Sequence, residues 1–527
     1  MKLLDHTAYT KQFKKIAECK CEGTCKCPYP HNDIGTAQLF YDLHKALIIY
    51  ISEAKSWYYY DEKRWAPDVG GMYTSELCKR FVRAYVEYAS KISGDFKEYV
   101  EKFHKLNQRK SLIADASTIA PKSISEFDSN PLLFNCTNGT YDLEKSEFRP
   151  HRPADYITKL SRVEYKEGAS SKPWQIFINE IMMDNANVTG FLQKSHGYAL
   201  SGDTSQECFF VNYGPKTRNG KSTLVDTISY LMGEYAATIQ PQTLAKRSSN
   251  GATSSPDIAR LQGIRFVNMP EPAKGLELDA ALVKQLTGGD SVTARFLFKN
   301  FVEFKPAFKI FISTNHMPRI KDRTVFDSGR MKVIPFNRHF KPDEQNRNLK
   351  ESFRNPSTMS GILNWLIEGY NAYKKDGRLI VPDEVKAKLK DFQKDATAEI
   401  DGFLEEILVK ADGVRLRTSM IYKLHCEWAK EREFSPLSSQ AFVAELRSRY
   451  EVTRDSAKGN VVVGYITKID EFINEKFKTA NGKLKVKDAY DSYCRSEKPV
   501  KLSAQIFDSI LQARYEVKDD VIVGVVK

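Results

Sequence analysis

The chain has 527 residues, 41% hydrophobic and 28% charged, a balance that predicts ordinary globular protein in roughly three domains of about 150 residues. The opening Met1-Lys2-Leu3-Leu4-Asp5-His6 has no apolar core behind it, and no apolar run reaches the ~18 residues of a membrane span, so neither a secretory signal nor a membrane anchor is expected. The nine cysteines form no secreted framework, which favours a reduced, cytoplasmic setting, and the net charge of +13 suits a polyanionic partner because cations brought to phosphates release counterions.

Residues 1–30 form a cysteine-rich arm in which Cys19, Cys21, Cys25 and Cys27 lie close together with His31 nearby. Four thiolates suit one tetrahedral Zn²⁺, although Cys-x-Cys pairs are tighter than the usual spacing; a site shared with His31, or free thiols in a flexible arm, are the alternatives. An α+β domain is expected over residues 31–170. Its Gly35–Ser52 stretch, with Leu39, Leu43, Leu47 and Ile51 on one face, predicts an amphipathic helix. Residues 56–65 (Ser-Trp-Tyr-Tyr-Tyr-Asp-Glu-Lys-Arg-Trp) predict two short strands around a polar turn, and Asn138-Gly139 predicts a hairpin.

After a loop at residues 168–172, a helical run from Trp174 to Leu200 leads into a stretch of different character. Short apolar runs (Cys208–Val211, Arg265–Met269, Phe308–Ser313, Met331–Phe336) alternate with helical segments, the pattern of a covered α/β sheet; residues 171–345 are read as one helical-collar and nucleotide-hydrolase domain. Between the first strand and the next helix lies Gly214-Pro215-Lys216-Thr217-Arg218-Asn219-Gly220-Lys221-Ser222-Thr223. A glycine-permitted turn between strand and helix directs backbone N–H groups and the helix dipole at phosphates, which marks a P-loop for ATP. Gly214, Asn219, Gly220 and Thr223 shape the cradle, Lys221 bridges the phosphates and Ser222 faces Mg²⁺. Five residues separate Gly214 from Gly220 where the usual pattern has four, so either the loop is longer or Pro215 holds the first glycine's place.

The following strands end in polar residues. Glu271 after Arg265–Met269 is the candidate to orient the attacking water and to help hold Mg²⁺, against the plainer reading of a surface glutamate. Asn315 after Phe308–Thr314 is placed to bond the γ-phosphate or that water, or simply to form a turn. Arg330 before Met331–Phe336 is the candidate to reach a neighbouring subunit's γ-phosphate, with Lys332 and Arg338 as alternatives. The Lys284–Asp290 stretch leads into a hairpin with Phe298, Lys299 and Asn300 at its tip, suited to gripping single-stranded DNA.

A helical linker is expected over residues 346–398, followed by two related modules, 399–467 and 468–527. Residues 400–406, 437–442, 450–452 and 461–464 are echoed at 469–475, 502–507, 515–517 and 521–524. Helices followed by two strands suit a winged-helix fold that contacts duplex DNA; small helical protein-contact modules are the alternative.

Asn219-Gly220-Lys221-Ser222-Thr223, Glu271, Lys284-Gln285-Leu286-Thr287-Gly288-Gly289-Asp290, Thr314-Asn315-His316 and Ile334-Pro335-Phe336 together resemble superfamily 3 helicases, in particular the phage and plasmid primase-helicase C-terminal family and its poxvirus relatives. Asn138–Leu143, Pro150–Lys159 and Gly197–Asp203 extend the resemblance upstream, over about residues 30–345. It implies an α/β P-loop NTPase core of AAA+-like form, a homohexameric ring, ATP with Mg²⁺, and 3′→5′ movement on single-stranded or forked DNA. It further implies replication partners such as a primase or polymerase, in a bacterial cell as a phage or mobile-element protein. The roughly 30 residues ahead of the matching region predict no primase domain here. Two other functions stay open: an origin-binding initiator whose ATPase is an assembly switch, and the helicase part of a primase-helicase.

Overall fold

The structure is a computed structural model and describes residues 9, 11–13, 29–246, 256–274, 276–295, 301–318, 320, 322, 324–432, 436–456, 459–476, 478–495, 503–514, 516–518 and 521–526. It is a mixed α/β chain that separates into two compact units, residues 1–389 and 390–527. Among the described residues no helix is long and apolar enough to cross a membrane.

The first unit opens with helix α1 (Asp33–His44), capped by the Asn32 side chain accepting from Gly35 N at 2.9 Å, and strands β1 (Ile48–Ile51), β2 (Ser56–Tyr60) and β3 (Trp65–Pro67). The single helix expected from Gly35 to Ser52 is therefore a helix and a strand. The four-residue apolar spacing continues past His44, but Ile48-Ile49-Tyr50-Ile51 is a β-branched and aromatic run that pairs antiparallel with Ser56–Tyr59. Helices α2 (Met72–Ala89), α3 (Gly94–Glu101) and α4 (Leu106–Ala116) pack on α1 around an aromatic core containing Phe40, Phe81, Tyr85 and Phe103. The Asn138-Gly139 hairpin forms as expected between β4 (Leu133–Cys136) and β5 (Gly139–Asp142), with β6 (Glu147–Arg149) alongside. The helical run from Trp174 divides into α5 (Lys172–Ile181) and α6 (Ala186–Tyr198), broken where Met183 and Asp184 turn to positive φ.

The centre of this unit is a five-stranded parallel sheet in the order β13 (Met331–Pro335), β7 (Phe209–Tyr213), β12 (Lys309–Thr314), β9 (Phe266–Met269), β8 (Ala236–Thr238). Four of these are the apolar runs visible in the sequence, and such runs belong in a parallel sheet because helices cover both faces. Helix α7 (Lys221–Met232) buries Leu224, Val225, Ile228 and Leu231 against Phe210, Phe266 and Phe311. Helix α8 (Ala280–Thr287) precedes a separate hairpin of β10 (Val292–Arg295) and β11 (Phe301–Phe304). Helices α9 (Leu349–Phe353), α10 (Pro356–Asp376) and α11 (Asp383–Ile407) follow the sheet.

Two cations lie buried beneath the sheet. Arg265, just before β9, donates to Leu200 O at 2.6 Å and Leu133 O at 2.8 Å; Lys309, opening β12, donates to Ser201 O at 2.6 Å and lies over the Tyr198 ring. Both serve the carbonyl groups just past the end of α6, which the helix itself leaves unpaired. Burial drives the Lys309 pKa well below the ordinary lysine value.

The second unit repeats one pattern twice. After the end of α11 come β14 (Leu408–Arg417), α12 (Thr418–Glu431), α13 (Ser439–Arg449), β15 (Val452–Asp455) and β16 (Gly459–Thr467). After α14 (Lys468–Lys476) come β17 (Lys478–Lys485), α15 (Val486–Arg495), α16 (Ala504–Arg514), β18 (Glu516–Lys518) and β19 (Val521–Val526). The helices and closing strands are as expected; the early strand in each copy is an addition. It joins a three-stranded antiparallel sheet, β14-β16-β15 in the first copy and β17-β19-β18 in the second.

Candidate active site

Strand β7 ends at Tyr213, and the next seven residues turn sharply before α7 starts at Lys221. Gly220 has φ +86°, and a Cβ there would meet Ile181 Cγ2 at 2.3 Å, so the turn admits glycine alone. A Cβ on Gly214 would meet the Asn219 amide nitrogen at 2.2 Å and Phe336 O at 2.5 Å. The Asn219 amide closes the loop by donating to Lys216 O at 2.7 Å, and Gly214 N donates to Thr314 O at 3.2 Å. Loop and neighbouring strand ends thus form one hydrogen-bonded rim.

The central strand of the rim delivers the remaining groups. β12 lies between β7 and β9, so Asn315 at its end stands between Lys221 and Glu271. Lys221 Nζ donates to Asn315 Oδ1 at 2.7 Å and to Gly214 O at 3.2 Å. Asn315 donates from its backbone N and its Nδ2 to the two Glu271 carboxylate oxygens, each at 3.0 Å. Burial pushes the Lys221 pKa down to about 8, against a smaller upward pull from Glu271. Ser222 is exposed and Thr223 half-buried in the first turn of α7, where free N–H groups and the helix dipole favour an anion. The rim can therefore place a cation, a carboxylate and an amide around a negatively charged group held by backbone N–H donors.

Arg330 is elsewhere. It precedes β13, which runs parallel to β7, so it sits at the opposite end of the strands from the loop. Its guanidinium is paired with the Glu207 carboxylate and donates to Thr287 Oγ1 at 3.1 Å, tying it to the end of α8. It takes no part in the cluster of its own chain. Of the two alternatives, Lys332 is half-buried, and Arg338 is held by Glu344 at 2.8 Å. Phe298, Lys299 and Asn300 lie outside the described residues, as do Cys19, Cys21, Cys25 and Cys27. Among the described residues no cluster of His, Cys, Asp and Glu is arranged to hold a metal. Sequence reasoning missed Ile181, which underlies Gly220, and the carbonyls of Thr314 and Phe336; they act through packing and backbone, which leave no residue-type signal.

The family described as D5 N terminal like matches residues 37–183, and the family of unknown function DUF5906 matches residues 212–330, the span that contains the loop, Glu271, Asn315 and Arg330. The chain is 29% identical over 354 residues to "Putative helicase L207/L206" of Acanthamoeba polyphaga mimivirus, covering 61% of this chain and 36% of that protein. These matches support a primase-helicase-type superfamily 3 family for the chain. Another relative, "Putative helicase 121R" of Invertebrate iridescent virus 3, is 25% identical over 364 residues, covering 62% of this chain and 38% of that protein. The matches thus span well under half the length of either viral relative. A solved structure, "The A form apo structure of NrS-1 C terminal region-CTR", is matched at a TM-score of 0.41 and 13% identity over 82% of this chain and 100% of that one.

Proposed function

We propose that this superfamily 3 chain is an ATP-dependent DNA helicase of the replicative kind, with residues 171–345 as its AAA+-like P-loop motor. The observation that carries the reading is the continuous hydrogen-bonded line from Lys221, which opens the helix after the glycine loop, through Asn315 to Glu271, just past the ends of the neighbouring parallel strands β12 and β9. The loop fits a triphosphate: a Cβ on Gly214 would crowd the Asn219 amide and come within 3.1 Å of Lys221 Nζ, and that buried ammonium lies in the same rim.

On binding, Lys221 exchanges Gly214 O and Asn315 for the β- and γ-phosphates. Asn315 is released to orient the γ-phosphate or the attacking water, and Glu271 takes the proton of that water as its oxygen bonds to the γ-phosphorus and the bond to ADP breaks. Ser222 and Glu271 would hold Mg²⁺, which supplies charge neutralisation on the phosphates. Arg330, remote from its own loop, is assigned to the neighbouring subunit's γ-phosphate in a homohexameric ring, where release from Glu207 would free it. The β10–β11 hairpin, with Phe298, Lys299 and Asn300 between its strands, is assigned to single-stranded DNA, with 3′→5′ movement. Residues 399–467 and 468–527 are assigned as winged-helix-like modules for duplex DNA.

Purified chain should hydrolyse ATP faster with single-stranded DNA present and should displace the strand of a tailed duplex. Lys221→Ala should abolish both, and wild-type turnover in that variant would discard the site. The duplicated C-terminal pattern favours a second role as an origin-binding initiator; hydrolysis without strand displacement would select it.

A further inference from the structure

The two C-terminal repeats are alike in core and unlike in the surface between their last helix and last hairpin. In the first repeat β15 and β16 pair Val452↔Val462, Thr453↔Val461, Arg454↔Asn460 and Asp455↔Gly459. In the second, among the described residues, the equivalent pair Val517↔Ile522 is followed by Lys518↔Val521. Among the described pairs the first hairpin therefore extends two residue pairs further, and Arg454 and Asn460 belong to that extension.

The extension makes one wall of an open cleft of about 570 Å³ whose lining includes Arg447, from the last turn of α13, with Arg454, Gly459 and Asn460. Arg447 and Arg454 are both exposed, and neither guanidinium has an ion-pair partner among the described residues. Their neighbour Arg449 differs: it is held by Asp401 and Glu445 and only fastens the helix. The nearby carboxylate of Asp455 is neutralised by Arg415 at 3.2 Å. Placing Arg447 at a helix C-terminus is explained by the helix dipole. Placing a second unpaired guanidinium across the cleft is not, because the two repel until an anion lies between them. The second repeat supplies an internal comparison. Aligning the shared Leu-Ser-x-Gln segments puts Gln512 where Arg447 stands and Asp519 where Arg454 stands, and Gln512 is spent on Asp508 at 2.7 Å.

We infer that the first repeat alone carries a duplex-DNA site, with Arg447, Arg454 and Asn460 holding the phosphate backbone between helix and hairpin, while the second repeat is its structural support. A helix end beside a protruding hairpin presents donors to a curved, regularly charged backbone, and guanidinium forks match phosphate oxygens. The inference rests on the DNA-directed reading above and narrows it to one of the two modules.

The full chain is titrated with a blunt-ended DNA duplex over a range of salt, without nucleotide. Arg447→Gln with Arg454→Gln should weaken binding by about tenfold or more and flatten the log affinity against log salt slope by about two. The corresponding double lysine variant should keep the slope, and Gln512→Ala should match wild type. Circular dichroism confirms folding of each variant. Unchanged duplex affinity in the double glutamine variant overturns the inference. So does competition by polyglutamate as effective as that by duplex, which would point to an acidic protein partner. ATP turnover of the wild-type chain with single-stranded DNA is followed in parallel. If wild type shows no turnover, the motor reading fails while the salt titration still decides this site.

Discussion

At the scale of single residues, Lys221 carries the most consequence. It is buried beside two hydrogen-bond acceptors, and its pKa is pushed down to about 8 by burial. A lysine whose folded pKa lies below its ordinary value is charged below about 8 and neutral above it. A triphosphate needs the charged form. Nucleotide affinity should therefore be flat at and below neutral pH and should fall by up to about tenfold per pH unit above the lysine pKa, since one proton must be taken up on binding. Calorimetry in buffers of different ionisation enthalpy measures that proton directly, and zero uptake on the alkaline side would reject the assignment. Lys221, Glu271 and Asn315 were each legible in the sequence because each closes an apolar strand or opens the helix after one. Their bonding to one another was not, because it depends on β12 lying between β7 and β9. Arg330 teaches the converse: in a parallel sheet a residue before a strand and a residue after one lie at opposite ends of the strands. Direction alone separates it from its own loop.

At the scale of elements, the contact of α6 with α10 is closer than side chains allow. A Cβ on Gly197 would meet Tyr370 N at 2.3 Å and Leu366 O at 2.5 Å, and one on Gly369 would meet Gln193 O at 2.2 Å. Each helix thus offers a glycine to the backbone of the other, and the obstructing atoms are main chain, which cannot swing aside. Gly369→Ala should cost about 1–3 kcal/mol by overpacking. Denaturant unfolding of this unit reads the loss, and an unchanged midpoint would mean that the helices part freely. The strands of the sheet could be read in advance because parallel, doubly covered strands are short, uniformly apolar runs. The boundary between α1 and β1 could not: Leu39, Leu43, Leu47 and Ile51 keep a helical spacing across it. What decides there is the chance for Ile48–Ile51 to pair with the aromatic strand β2, a tertiary gain that local periodicity does not contain.

At the scale of the whole molecule, the repeat in residues 390–527 is one folded object and not two. Its core runs through both copies, joining Phe403, Phe442 and Leu446 to Phe472, Phe507 and Ile510. Each copy builds the same triplet of rings. Phe403 and Phe442 flank His425 at 5.1 and 4.8 Å, and Phe472 and Phe507 flank Tyr493 at 5.2 Å each. Ser503 at the start of α16 also bonds Glu431 at the end of α12, so the second repeat is anchored on the first. The echoes in sequence revealed the duplication, but a repeat can equally be two beads on a string, and only the shared core distinguishes the cases. If the core is common, damage in either copy must be felt by both. Phe403→Ala and Phe507→Ala should each remove about 3–5 kcal/mol, and the loss should register across the whole unit. Hydrogen exchange followed by mass spectrometry on the full chain separates the outcomes. Peptides from α13 and from α16 should lose protection together in both variants. Loss confined to the mutated copy would show that the repeats fold independently, and a supporting role for the second copy would then have no mechanical basis.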